Sequence, residues 1–175
     1  TIVGLPDTSI NESRDRVRSA VVNSGFEWPS GRITVGLSPA FEHKRGSGLD
    51  LAVAMAVLAG SGAVTDRQVD RSVFVGELGL DGSVRAIPGA VAMALGVARS
   101  KAVDRIFAGP TTAGQIARVP GVRVVPVTSL SEAVAVVRGE TGAAEVPAPV
   151  EITTGVFPEL ADVVGMVPQD PMSGF

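Results

Sequence analysis

Apolar positions in this chain recur at two spacings, and each change of spacing marks a new element. Ile10, Val17, Ala20, Val21 and Ser24 share one face at helical spacing. Ser9 and Glu12 stand three apart just before this run, the signature of a capping box. Gly25 follows it as a C-terminal stop, so a helix is predicted to about Ser24. Upstream, Thr1-Ile2-Val3 reads as the end of a strand and Gly4-Leu5-Pro6-Asp7 as a turn. From Arg32 to Ser38 the spacing changes to two, with Ile33, Val35 and Leu37 inward, which predicts a strand ended by Pro39. Residues 41–48, Phe-Glu-His-Lys-Arg-Gly-Ser-Gly, are a polar loop.

The next segment, Leu49 to about Gly60, is apolar nearly all round except at Asp50. A helix of that kind is buried on most sides. Val73 to Leu80 and Ser83 to Ile87 flank Asp81-Gly82, a strong hairpin signal. Pro88 then opens a helix to about Ser100, Pro being well suited to a first turn. Two strand–helix units follow: Asp104 to Ala108 with a helix near Thr112–Arg118, then Val122 to Val127 with a helix from Ser129 to Val137. Thr111 or Thr112 is expected to cap the first of these helices. A hairpin followed by such units predicts an α/β fold with a mixed sheet and βα units. No repeat with a period of 20–50 residues is visible.

Charge divides the chain. Of its 175 residues, 15 are Lys or Arg and 18 are Asp or Glu, a formal net charge of -3. From Gly139 onward there are six acids (Glu140, Glu145, Glu151, Glu159, Asp162, Asp170) and no base. Residues 1–138 therefore carry +3 and residues 139–175 carry -6. Pro147, Pro149, Pro158, Pro168 and Pro171 also fall in the second segment. Pro and acid enrichment without periodicity reads as a linker or tail. A body over 1–138 and an acidic tail over 139–175 are the expected domains.

Composition removes several kinds of chemistry. There is no Cys and one His, which excludes disulfides, thiolate metal sites, thiol nucleophiles and a multi-His metal site. No apolar run is long enough to span a membrane, and no signal sequence opens the chain. A cytoplasmic protein is expected. Neither Lys44 nor Lys101 follows a Gly, so the chain contains no P-loop.

Candidate residues remain, each with an ordinary reading beside the functional one. Gly46-Ser47-Gly48 opens a helix and suits either an anion cradle or a flexible entry loop, the commoner use of such turns. His43 is an exposed loop residue or a partner contact. Asp50 is the single charge on an apolar helix and must be paired or hydrogen-bonded if buried. Its place in the first turn also suits a structural cap, with Lys44 or Arg45 as partners. Arg14 and Arg18 are i,i+4 neighbours on the first helix, and Arg16 projects from the other side. With Arg32, Lys44 and Arg45 they form candidate contacts for DNA or another phosphate-bearing partner. Solvated or ion-paired Arg is the plain alternative, because Glu12 and Asp15 lie close by. Few aromatics are present, so base stacking is not expected to dominate.

The ordered motifs resemble a known family. Gly4-Leu5-Pro6-Asp7, Glu12-Ser13-Arg14-Asp15-Arg16-Val17-Arg18-Ser19-Ala20, Asn23-Ser24-Gly25 and Ile33-Thr34-Val35-Gly36-Leu37-Ser38-Pro39-Ala40 are similar to the N-terminal domain of the ComM/YifB proteins. These are magnesium-chelatase-like AAA+ ATPases of the ChlI type. Lys44, Gly46, Asp50-Leu51 and Gly76-Glu77-Leu78-Gly79-Leu80-Asp81-Gly82-Ser83-Val84-Arg85 continue the match. Gly4, Pro6, Asp50, Gly76, Glu77 and Gly82 are the motif positions expected to be structural.

The resemblance implies a Lon protease-like fold, shared with a small-subunit ribosomal protein and the GHMP kinases. Active Lon proteases use a Ser–Lys dyad. The register of the resemblance places Asp50 at the Ser position and Val91 at the Lys position. Asp has no hydroxyl to deprotonate and Val no amine base. The fold is thus expected without catalysis, and no catalytic, cofactor or metal residue is assigned to this chain. A divergent peptidase using Ser47 with Lys101 is the enzyme alternative, and it rests on fold analogy alone.

Family members carry residues before Gly-Leu-Pro that this chain lacks, so truncation at the N-terminus is expected. Pro158-Glu159-Leu160-Ala161-Asp162-Val163-Val164-Gly165 resembles the lead-in to the ATPase module, but Met166 to Phe175 do not continue it. A fragment or an interrupted gene is implied. ATP, Mg²⁺, a hexameric ring and DNA processing are family traits expected of the absent module. For this chain they imply assistance to DNA binding or ring assembly. A pure oligomerisation or interaction domain without nucleic-acid contact is the other alternative.

Overall fold

The computed structural model describes residues 2–3, 8–37, 47–144 and 146, with side chains from Ser13 onward apart from Ser47. Its elements in chain order are β1 (Ile2–Val3), α1 (Thr8–Asn23), β2 (Val35–Gly36), α2 (Asp50–Gly60) entered through a single 3-10 turn at Ser47–Leu49, α3 (Asp66–Val69), β3 (Ser72–Val75), β4 (Glu77–Leu78), β5 (Val84–Arg85), α4 (Ala90–Ala98), β6 (Arg105–Ala108), α5 (Pro110–Ile116), β7 (Val124–Pro126) and α6 (Leu130–Arg138).

The centre is a parallel sheet in the order β3-β6-β7. Its register sets Phe74 beside Phe107 and Phe107 beside Val125. Side chains alternate across a sheet, and the two faces feed two separate cores. Phe107, Val125 and the half-buried Phe74 join Val17, Ala20 and Val21 of α1, Leu51, Ala54, Met55 and Leu58 of α2, and Leu130, Ala133 and Val134 of α6. The Phe74 and Phe107 rings stack at 4.7 Å between centroids. Val75, Ile106, Ala108 and Val124 face the other way and meet Ala90 and Ala94 of α4 with Ala113 and Ile116 of α5. Helices therefore cover both faces of a parallel sheet, the arrangement that continuous apolar strands such as Ile106-Phe107-Ala108 require.

The helix ends follow from local chemistry. After α1 the chain passes through Gly25 at φ +84°. Gly25 N donates to Val22 O and Phe26 N to Val21 O, a Schellman motif that satisfies the last carbonyls. Ser129 caps α6 by accepting from Glu132 N. The side chains of Ser9 and Glu12, the expected capping box of α1, lie outside the described residues.

Four expectations differ. The run Val73 to Leu80 is two strands, not one. Gly76 diverts the chain: its N–H donates to Gly48 O and its carbonyl accepts from Leu51 N, so the ladder of β3 ends at the entrance of α2. Beyond it β4 pairs antiparallel with β5 and leaves the parallel sheet. The strand expected over 32–38 pairs with β1 across Val35–Gly36 only, and Ile33, Val35 and Leu37 are half-buried. The first helix of the βα units begins at Pro110 with Gly109 as its cap residue. Thr112 is already inside that helix, fully buried, and its Oγ1 accepts from Ile87 N at 3.2 Å. Finally, no element is predicted between Gly60 and Val73, yet α3 forms there behind a Thr65–Gln68 capping box.

Candidate functional site

Asp50 opens α2 and is fully buried. Among the described residues its charged partner is Arg16 of α1; the expected partners Lys44 and Arg45 lie outside the described residues. Arg16 Nε donates to Asp50 Oδ2 at 3.0 Å and Nη2 approaches Oδ1 at 3.4 Å. Leu78 N donates to the same Oδ2 at 3.3 Å. Arg16 Nη2 also donates to Ser13 Oγ at 2.9 Å, and Ser13 is itself buried. The site exists because α1 packs along α2 and because β4 passes the first turn of α2. Helix-dipole attraction at that turn favours the carboxylate further. The arrangement is a forked, charge-assisted clasp among three elements. It also commits Arg16: its side chain is 24% exposed and turned to Asp50. An arginine held this way has its fork occupied and is not a free phosphate contact.

The motif residues of the hairpin are closely surrounded. A methyl group on Gly76 would meet Val84 Cγ1 at 2.6 Å. Glu77 lies across the hairpin from Arg85, with Oε1 at 3.8 Å from Nη1. Gly82 turns at φ +84°, and a side chain there would strike Ser24 Oγ of α1. Its carbonyl accepts from Leu130 N, while Asn23 Nδ2 donates to Leu80 O at 2.7 Å. The hairpin tip is thus tied to the end of α1 and the start of α6. Asp81 accepts from both the backbone N–H and the hydroxyl of Ser83. Those two bonds hold its carboxyl below the ordinary carboxylate range.

Three other candidate arginines gather around one cleft. A cavity of about 380 Å³ lies between α1, α2 and the segment leading to β2. Arg14, Arg18 and Trp28 line it, and Val17, Val53 and Val57 form its apolar wall. It adjoins a second hollow of about 410 Å³ through shared residues Gly31, Ile33, Val35 and Val57, and Arg32 lines that part. Arg14, Arg18 and Arg32 are all exposed. Asp15 also lines the cleft and pairs with Arg14 at 3.1 Å. Chemically the cleft offers guanidinium forks for phosphate or carboxylate and one indole face for a planar group. Trp28 escapes sequence reasoning because a loop residue carries no periodicity. The available signal is that it is the one Trp of the chain, followed by Pro29.

Gly4, Pro6, His43, Lys44 and Arg45 lie outside the described residues. Val91 is an exposed residue of α4. Lys101 is exposed in the turn after α4, where its carbonyl accepts from Arg71 Nη2.

Comparison with known proteins decides the family. The family model described as subunit ChlI of Mg-chelatase matches residues 1–110, more than half of the chain. The chain belongs to this family. Within it, the chain is similar to YifB of Escherichia coli, with 36% identity over 166 residues, 94% of this chain and 32% of that protein. An uncharacterized protein of Mycobacterium tuberculosis is 37% identical over 164 residues, again 94% of this chain and 32% of its own length. The competence protein ComM of Haemophilus influenzae is 41% identical over 101 residues, 58% of this chain and 20% of ComM. This ChlI-family chain is thus of the ComM/YifB type, and it spans about a third of the length of the first two relatives. Among its described residues no helix is long and apolar enough to cross a membrane.

Proposed function

We propose that this chain is the non-proteolytic, Lon-like module of a ComM/YifB-type AAA+ protein and that it assists that protein by contacting DNA phosphates along the Arg14–Arg18–Arg32 cleft. One observation carries the reading: Arg14 and Arg18, i,i+4 neighbours on α1, and the sequence-distant Arg32 are exposed and line one connected cleft beside the sole Trp. Arginine forks match phosphate geometry, and an adjacent indole offers a face to an unpaired base. ATP hydrolysis, Mg²⁺ binding, hexameric ring formation and DNA processing are assigned in this reading to the part of such a cytoplasmic protein that this chain does not span.

The absence of proteolysis in this reading is supported by what occupies the dyad positions. Asp50 is spent on Arg16 in a buried clasp, and Val91 offers no base.

Titration of a fluorescein-labelled single-stranded oligonucleotide, read by anisotropy at several salt concentrations, tests the DNA contact. Each phosphate neutralised contributes a slope of about -0.7 in log K against log[salt] for single strands. Three arginine contacts therefore predict a slope near -2, and each of Arg14→Ala, Arg18→Ala and Arg32→Ala should remove about 0.7 of it. Binding that is absent at low ionic strength, or unchanged in all three variants, rules out the DNA role. Self-association in its place, read by light scattering, would assign the module to assembly alone.

A further inference from the structure

The three strands of the central sheet run parallel, so their first residues share one edge. A charged segment leads into each strand: 66–71 before β3, 99–105 into β6 and 121–123 before β7. Together these segments hold six bases (Arg67, Arg71, Arg99, Lys101, Arg105 and Arg123) and three acids (Asp66, Asp70 and Asp104). Their net charge of +3 equals that of the whole body, so the rest of residues 1–138 is neutral in sum.

Contacts knit this edge together. Arg105 Nε donates to Ser72 Oγ at 2.9 Å and its Nη2 to Gln68 O at 2.8 Å, which ties α3 to β6. Ile106 N donates to Arg123 O at 2.9 Å, which sets Arg123 beside Arg105. Arg71 is spent on its neighbours. It donates to both oxygens of Asp104 and to Lys101 O, and its backbone N–H donates to Asp70 Oδ1. Asp104 is thereby neutralised, and Arg71 and Arg105 act as braces. Arg67, Arg99, Lys101 and Arg123 remain, all exposed and none in an ion pair among the described residues. Arg67 comes from α3, on the side of the sheet where Val69 joins the core of α1, α2 and α6. Arg99 and Lys101 follow α4 on the other side, and Arg123 stands in line with the sheet.

What this surface lacks defines what it can hold. Its segments contain no aromatic residue. The exposed large apolar side chains among the described residues, Val22, Leu80, Val91 and Leu95, lie outside them. Apolar anchors seat protein partners and membrane surfaces, and aromatic platforms grip unpaired bases. The hollow lined by Ser100, Asp104, Arg105 and Arg123 is only about 20 Å³, far below a small-molecule site. Charge is the means left, and it matches a ligand that carries closely spaced anions outside and stacks its bases within. We propose that this edge of the β3-β6-β7 sheet holds the phosphate backbone of a nucleic-acid duplex, without regard to sequence, through Arg67, Arg99, Lys101 and Arg123. None of the four lines the Arg14–Arg18–Arg32 cleft, so the inference goes beyond the cleft reading and does not depend on it.

The test uses the full 175-residue chain and a fluorescein-labelled DNA duplex of about 20 base pairs, read by anisotropy at several salt concentrations. Each phosphate neutralised on duplex DNA contributes a slope of about -0.9 in log K against log[salt]. Four contacts predict a slope of about -3.6, roughly a 150-fold loss of affinity between about 50 and 200 mM salt. Each of Arg67→Ala, Arg99→Ala, Lys101→Ala and Arg123→Ala should remove about 0.9 of it, equally on two duplexes of unrelated sequence. Circular dichroism of each variant verifies that the body is folded. Arg14→Ala, Arg18→Ala and Arg32→Ala should leave the duplex slope unchanged, so failure of the cleft on single strands and failure of the edge on duplexes are separate results. No duplex binding at low salt, a slope unmoved in all four edge variants, or a slope carried by the cleft variants instead overturns the proposal. Poly-glutamate bound as tightly as the duplex also overturns it and gives the edge to an acidic protein.

Discussion

Breaking the Arg16–Asp50 clasp from either side should have unequal cost. Among the described residues, Arg16→Met leaves the fully buried Asp50 with the Leu78 N–H bond at 3.3 Å alone. Removing one partner of a buried ion pair costs about 3–5 kcal/mol, because the remaining charge stays uncompensated. Asp50→Asn leaves the charge on Arg16 instead, and that side chain is 24% exposed. It can rotate toward water, so a cost nearer 1–3 kcal/mol is expected, typical of an unsatisfied buried hydrogen-bonding group. The double variant Arg16→Met/Asp50→Leu replaces both charges with apolar groups and should recover much of the loss. The cycle is read by urea denaturation, with fluorescence of Trp28, which packs against the core under α1 and α2, as the probe. The midpoint in urea, at constant m, reports each change. Costs that simply add in the double variant, or an Arg16→Met variant within 1 kcal/mol of the parent, would refute the clasp.

Three further outcomes follow from the geometry. Gly82→Ala places a methyl group against Ser24 Oγ at a φ of +84°, and a loss of about 1–3 kcal/mol is expected, visible as a lower melting temperature with the arginine-lined cleft untouched. Asp104 is held below the ordinary carboxylate range by the Arg71 guanidinium, which donates to its two oxygens at 2.6 and 2.7 Å, as Asp81 is by Ser83. Both carboxyls bind protons more readily unfolded than folded, so their stabilisation is present above the unfolded value of 3.8 and lost as pH falls below it; Asp104→Asn and Asp81→Asn should flatten the fall of stability between pH 4 and pH 2 in acid titrations followed by circular dichroism. Placing Ser and Lys at the positions that the resemblance sets against the dyad, with Asp50→Ser and Val91→Lys, should yield no casein cleavage, because position 50 is fully buried; cleavage above the parent's level would refute the argument that burial keeps substrate from that position.

Much of the fold is legible in one dimension. The helical spacing of Val17, Ala20 and Val21 names the face that is buried, and the all-apolar run after Asp50 names the central helix. Asp81-Gly82 marks the hairpin, and Gly25 stops α1, because turn and cap chemistry depend on residues a few positions apart. The split between a +3 body and a -6 tail is likewise plain from order alone. Even the need of Asp50 for a partner follows from its surroundings, since an apolar helix cannot bury a bare carboxylate.

The identity of that partner does not follow. Arg16 lies 34 residues from Asp50, and only the packing of α1 on α2 turns it onto the carboxylate. Distance in sequence also hides the break at Gly76, whose hydrogen bonds go to Gly48 and Leu51 and not to a strand. The same holds for the cleft. Helical periodicity separates Arg16 from Arg14 and Arg18, but it cannot bring Trp28 and Arg32 up beside them. Local sequence sets periods, turns and caps because their partners are near neighbours. Which charges are spent inside, which line a shared cleft and which gather on one sheet edge are decided by contacts that exist only when distant segments close on one another.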